Sequence, residues 1–208
     1  MITSNKDLMK HARETLSGRW NLAVGTFFLY MLIMVPITVI PYKYTLWYAC
    51  GNIIALLIGG AFALGIATFA LAIARRKEAN LKMIFSGFKY YGKTLGLNLL
   101  KSLFIILWAL LLIIPGIIAA ISYSLAFYLM SDDPNIGAME AIDKSKKMMY
   151  GYKWKYFCLG LRFIGWILLG ILSLGIGLLW IIPYLHISFT KFYDDVKANY
   201  VEEQGICE

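Results

Sequence analysis

Charge is what this sequence is short of. Of its 208 residues only 15% are Asp, Glu, Lys or Arg, against 60% hydrophobic types, and the mean hydropathy is +0.68. A soluble domain normally has about 25% charged residues, so the composition disfavours a soluble enzyme or a free binder of nucleic acid. Disorder is excluded by the same arithmetic, because disordered chains are poor in apolar residues. Cysteine is scarce as well. Cys50, Cys158 and Cys207 are widely spaced and odd in number, which suggests neither a disulfide framework nor a zinc site.

The places where charge is missing carry most of the information. Residues 20–42, 44–74 and 102–131 hold no formal charge, and 156–190 hold one, Arg162. About 20 apolar residues cross a hydrocarbon core of ~30 Å as a helix, so each run is long enough to span at least once. Water-soluble helices normally keep one polar stripe, and residues 102–130 show none. The first run exceeds the 7–15 apolar residues usual in a signal peptide and reads as an uncleaved first span.

Lys and Arg in short connecting loops set orientation. Four basic residues precede the first run, seven lie in 75–101, and five in 132–155, while the turn at Gly175 has none. The basic segments are therefore expected in the cytoplasm, with Lys43 and the Gly175 turn outside. That places an even number of crossings between Lys101 and Asp132. Pro115-Gly116 divides the run, and Pro-Gly is a strong breaker, so a short helical hairpin turning at Ile114-Pro115-Gly116 is expected. The alternative is one kinked span with 132–155 outside. The reading is an all-α polytopic membrane bundle, one integral domain over 1–208. Its spans are expected at roughly 20–41, 46–74, 93–114, 116–131, 156–173 and 176–193, with both termini cytoplasmic. Tyr42, Tyr44, Trp47 and Tyr48 cluster at the outer boundary, and Trp20, Tyr90, Tyr91, Tyr150 and Trp154 at inner ones, as the aromatic belt predicts.

Gly51, Ala55, Gly59, Ala63 and Ala67 recur every fourth residue and share one helix face, where small side chains allow close backbone approach. The face serves either the monomer's own bundle, the preferred use, or a homodimer. Ser4 with Asp7 resembles a capping box. Leu8, Met9, Ala12 and Leu16 follow at helical spacing, so an amphipathic segment resting on anionic inner-leaflet headgroups is expected. A second such helix is expected after Asp133-Pro134, stopping near Gly151.

Few residues carry chemistry. Gly87 to Thr94 satisfies G-x-x-x-x-G-K-[ST], but a phosphate-binding loop follows a strand in an α/β domain, and this stretch precedes a membrane helix. It is read as coincidence. Arg162, as an intramembrane charge, is a functional candidate by default, although it stands close enough to the inner boundary to snorkel. His186 could titrate near neutral pH but has no carboxylate nearby in sequence. Paired carboxylates, a nucleophile with its base, and a metal cluster are all missing, so no enzyme, cofactor or metal is expected.

Several blocks make the chain recognisable. Ile114-Pro115-Gly116-Ile117-Ile118, Tyr123-Ser124-Leu125-Ala126 and Asp133-Pro134 come first. Glu140-Ala141-Ile142, Ser145 and Met148 to Lys153 follow. Then come Phe163 to Trp166, Gly175 to Trp180, Pro183-Tyr184 and Phe192-Tyr193. With Arg13, Leu16, Gly18, Trp20 and Phe85 to Phe88, this set resembles the bacterial integral-membrane family catalogued as domain of unknown function 975. The resemblance covers nearly the whole chain. It implies a multi-spanning protein of the bacterial plasma membrane with no assigned activity. It also implies a small polar residue, often serine, where this chain has Arg162.

Two functions fit. One is a permease-like or lipid-handling bundle whose broken hairpin at Pro115 and Gly116 lines a cavity, as interrupted helices do in transporters. The other is an accessory or immunity-type interaction protein acting through its cytoplasmic connectors on a protein partner. A cavity at Pro115 favours the first, and an exposed Gly51–Ala67 face favours the second.

Overall fold

The computed structural model describes residues 3–39 and 45–203. Residues 40–44, which include Tyr42, Lys43 and Tyr44, lie outside the described residues, as does Cys207, and the side chains of Trp47 and Tyr48 are not described. The chain is all-α, with no strand among the described residues. Its helices are α1 (Asn5–Leu16), α2 (Trp20–Val39), α3 (Thr45–Ala74), α4 (Tyr91–Leu111), α5 (Ile113–Ser122), α6 (Ala126–Asp132), α7 (Ala138–Met148), α8 (Lys153–Leu172) and α9 (Leu178–Glu203), and a 3-10 segment Leu81–Tyr90 leads into α4. Five stretches are long and apolar enough to cross a membrane: Trp20–Ile37, Cys50–Ala74, Leu81–Leu111, Ile113–Asp132 and Lys153–Leu172. The sixth expected segment, 176–193, falls on α9, which is apolar as far as Thr190 and charged beyond it.

The second half of α3 is the mast of the bundle. Leu71 packs with Leu8, Leu125, Phe163, Phe192 and Tyr193. Leu64 and Ala67 pack with Leu97, Phe127, Met130 and Ile142. Ile66, Phe69 and Ile73 pack with Leu16, Phe27 and Ile187. α3 alone contributes to all three clusters. Its first half, with Ile53, Ile54, Leu56 and Leu57 exposed, carries no such load.

Small residues let the 3-10 segment lie against this mast, but at positions offset from the expected stripe. A Cβ on Gly65 would come within 1.9 Å of the Ile84 carbonyl oxygen, and one on Gly87 within 1.9 Å of that of Ala61. Gly60 meets the Thr94 carbonyl in the same way at 2.5 Å, while Gly59 has only an ordinary 3.8 Å neighbour in Asn98. Gly51 is buried near the far end. Close backbone approach therefore holds the monomer together, and the half of the face from Gly60 to Ala67 is covered by its own chain.

The hairpin between Lys101 and Asp132 is present, but its break is at Leu112, not at Pro115-Gly116. Leu112 is extended (φ −161°, ψ 147°) between α4 and α5. Pro115 falls in the first turn of α5, where its missing N–H leaves no intrahelical bond unmade. Gly116 lets the arms close, since a Cβ there would stand 2.8 Å from that of Ala109. The return arm breaks again at 123–125. Buried Ser145 bridges that break, donating to the Ser122 carbonyl (2.7 Å) and accepting from the Leu125 N–H (3.2 Å).

α1 is capped as expected, with the Ser4 hydroxyl accepting from the Asp7 N–H at 3.2 Å. Its apolar face does not rest on lipid, however. Leu8, Ala12 and Leu16 are buried against the protein, Thr3 bonds Asp195 and Tyr184 reaches the Met9 carbonyl. Only the exposed Lys6, Lys10 and Arg13 remain to meet headgroups. α7 begins at Ala138, later than expected, and the chain turns away at Gly151 (φ +81°).

Candidate functional site

The two long charge-free runs end on residues that find each other. Arg75, the first charge after α3, donates to both carboxylate oxygens of Asp132 at 2.7 and 2.9 Å; Asp132 is the first charge after the hairpin. Arg75 also donates to Asp194 from Nε (3.1 Å) and Nη2 (2.7 Å). Asp132 further accepts from the Tyr193 hydroxyl and the Lys197 ammonium, both at 2.8 Å. Hydrogen bonding to Asp132 raises the Arg75 pKa above its ordinary value against the opposing pull of desolvation. Two cations meet two carboxylates, so the cluster is neutral. With every charge in it partnered, it is a lock between α3, α6 and α9 and holds no spare acid or base.

A cavity of about 290 Å³ lies where the notched hairpin meets α7 and α8. Trp108 on α4 and Pro115, Ile118 and Ala119 on α5 make its apolar end, and Lys146 and Lys153 line it as well. Positions 115, 118, 119 and 122 share one face of α5, so the helical repeat itself aligns the groove. Ser122 contributes no free hydroxyl, because it donates to the Ile118 carbonyl at 2.7 Å. Neither lysine has an ion-pair or hydrogen-bond partner among the described residues. Two cations without an ion-pair partner beside a slot lined by Trp, Pro and Ile suit an anionic amphiphile.

Of the residues singled out by sequence, the structure brings Pro115 to this groove and leaves the others elsewhere. Gly116 faces Ala109 at the arm contact. Arg162 is exposed on α8, without an acidic partner among the described residues. His186 packs its ring against Phe27, centroids 4.8 Å apart. Gly51 is buried on α3, and Gly59 has only an ordinary contact with Asn98. Lys146 and Lys153 were passed over because each sits in a basic connector, where a lysine reads as an orientation signal. Their missing partners are a tertiary fact.

The stretch from Gly87 to Thr94 is occupied by its own structure. Gly87 is pressed on Ala61, Lys93 donates to the carbonyls of Pro134 (2.8 Å) and Asn135 (3.2 Å), and the Thr94 hydroxyl donates to the backbone carbonyl of Tyr91 (2.9 Å). No strand precedes it. Purified protein is expected to show no saturable ATP binding by calorimetry. Binding lost on Lys93→Ala would show that a phosphate cradle exists. Among the described residues, no group of His, Cys, Asp and Glu could hold a metal ion.

A family model described as a protein of unknown function, DUF975, matches residues 1–122 and 109–200. No curated protein matches the chain, and no solved structure does.

Proposed function

Because the chain belongs to the DUF975 family, whose description carries no activity, we propose a function from the geometry: a non-enzymatic, multi-pass membrane protein that binds an anionic lipid in the groove at Pro115. The observation that carries this reading is the pair of unpartnered lysines, Lys146 and Lys153, on a cavity whose remaining wall is mostly apolar. Basic pockets between membrane helices bind lipid headgroups for this reason. A volume of about 290 Å³ accommodates a phosphate and the glycerol region, and the acyl chains continue past Trp108 and Ile118 into the bilayer. The basic connectors favour a cytoplasmic position for this end of the molecule and for both termini, in the bacterial plasma membrane. The rival reading, an accessory or immunity-type interaction protein acting through its connectors, would be favoured by a bare Gly51–Ala67 face. From Gly60 onward that face is covered by the 3-10 segment and α4.

A Lys146→Ala/Lys153→Ala double variant tests the proposal. Each lysine near an anionic surface contributes ~1 kcal/mol, so losing two weakens binding roughly 30-fold. In native mass spectrometry from mixed phosphatidylglycerol and phosphatidylcholine nanodiscs, the wild type should retain the anionic lipid selectively. The double variant should not, and Lys146→Arg/Lys153→Arg should. Equal retention by the wild type and the alanine variant sinks the reading.

A further inference from the structure

The three long hairpins differ in where their charges stand, not in helix length. At 1.5 Å per residue, α2, α4 and α8, with 20, 21 and 20 residues, each extend ~30 Å, and the 30 residues of α3 ~45 Å, against a hydrocarbon core of ~30 Å. The α4–α5 and α8–α9 hairpins are measured by their cations. Lys101 stands eleven residues before the Leu112 break, and Arg162 eleven residues before Ser173, where α8 ends. Both intervals are ~16 Å of helix, about half the core. If either tip reached the far surface, its cation would sit near the bilayer centre; there Lys101 is covered by the Phe127 ring, 5.4 Å from its ammonium, but Arg162 is exposed, and a charge facing hydrocarbon costs roughly 2.5–3.5 kcal/mol.

The tips themselves are built for oil. Turns in water are rich in polar residues, yet Leu110 to Ile114 is wholly aliphatic and exposed, and Leu174 at the second tip is 93% exposed. Hydrocarbon demands that backbone groups be satisfied internally, and the second tip meets most of that demand, the Leu174 N–H excepted. The N–H groups of Ser173 and of Gly175 through Ile181 all have acceptors within the turn. The one polar side chain, Ser173, donates to the Gly170 carbonyl at 2.7 Å while accepting from the Gly177 N–H. At the first tip Leu112 donates to Trp108 and Gly116 to Leu112, and Pro115 has no N–H to satisfy.

We propose that the α4–α5 and α8–α9 hairpins are re-entrant: both enter from the basic side, the second held at that interface by the exposed Arg162, and end among the acyl chains. Only the α2–α3 hairpin crosses. This departs from the sequence expectation that the Gly175 turn lies outside. The positive-inside count is blind to the difference, because a hairpin that crosses twice and one that turns back leave their flanking segments on the same side. The occupant of the exposed tips is lipid hydrocarbon, displaced mainly from one leaflet.

Single cysteines at 43, 112, 146 and 174, in a full chain with Cys50, Cys158 and Cys207 changed to serine, test this in proteoliposomes. An impermeant maleimide should reach 43 from one side and 146 from the other. It should reach 112 and 174 from neither until detergent is added. Labelling of 112 or 174 from the side that reaches 43 overturns the proposal. Nitroxides at 112 and 174 should be relaxed strongly by oxygen and weakly by a nickel chelate. Weak relaxation by both would mean that a second copy covers the tips, which also overturns it. Hydrogen exchange of the unmodified protein in vesicles gives a reading free of substitutions. Peptides covering 108–116 and 172–178 should exchange slowly, and fast exchange at either is decisive against the proposal.

Discussion

Gly65→Ala is expected to abolish the native bundle. The added methyl would lie 1.9 Å from the Ile84 carbonyl oxygen and 2.5 Å from its carbon, distances that only separation of α3 from the 3-10 segment relieves. Overpacking a core typically costs 1–3 kcal/mol where side chains can yield. Here the obstruction is backbone, so ~3 kcal/mol or more is expected. Much of the stability of a small protein would be gone. Gly87→Ala should behave alike, since its methyl meets the Ala61 carbonyl at 1.9 Å. Gly59→Ala, with its nearest neighbour at 3.8 Å, and Gly25→Ala, with none within 4 Å, should stay within about 0.5 kcal/mol of wild type. Thermal unfolding in detergent, followed by tryptophan fluorescence, separates the two classes. A Gly65→Ala protein that melts with the wild type would mean that these segments do not touch.

That contrast shows what was readable in the sequence. The class of fold and the helical runs follow from where charge is absent, because exclusion of charge from hydrocarbon acts on each residue separately. The paired arms flanking Pro115 were legible for the same reason. The exact break was not, since proline is as content in the first turn of α5 as in a loop and only the arm contact at Gly116 distinguishes them. The four-residue stripe pointed to close packing on α3, but the glycines that make it, Gly60 and Gly65, stand off the stripe, because which positions touch depends on the partner's path. The partner runs as a 3-10 segment whose apolar periodicity points to no single neighbour. The capping box of α1 was visible, yet its apolar face could have met lipid or protein equally well. The groove was half visible. Pro115 announced itself, while Lys146 and Lys153 became candidates only when the fold left them without partners.

Asp132→Ala should produce the second large loss, and its size reports how much of the base is held by charge. Ion pairs exposed to water contribute only about 0–1 kcal/mol, whereas removing one partner of a buried pair costs roughly 3–5 kcal/mol. The Asp132 side chain is 13% exposed and that of Arg75 29%, so an intermediate loss of ~2–3 kcal/mol is expected by that comparison. The substitution strands the Lys197 ammonium and the Tyr193 hydroxyl as well, while Arg75 keeps Asp194. Asp132→Asn retains an acceptor for one of these donors and should recover part of the loss. The cycle of Arg75→Ala, Asp132→Ala and the double variant should give a coupling above 1 kcal/mol in unfolding midpoints converted to free energy. Additive effects would mean that the pair is solvated and that α3, α6 and α9 are held together by packing alone. Because α6 continues the return arm of the hairpin, opening this lock should also loosen the groove at Pro115. In the Asp132→Ala protein, anionic lipid retention should therefore fall even though Lys146 and Lys153 are intact.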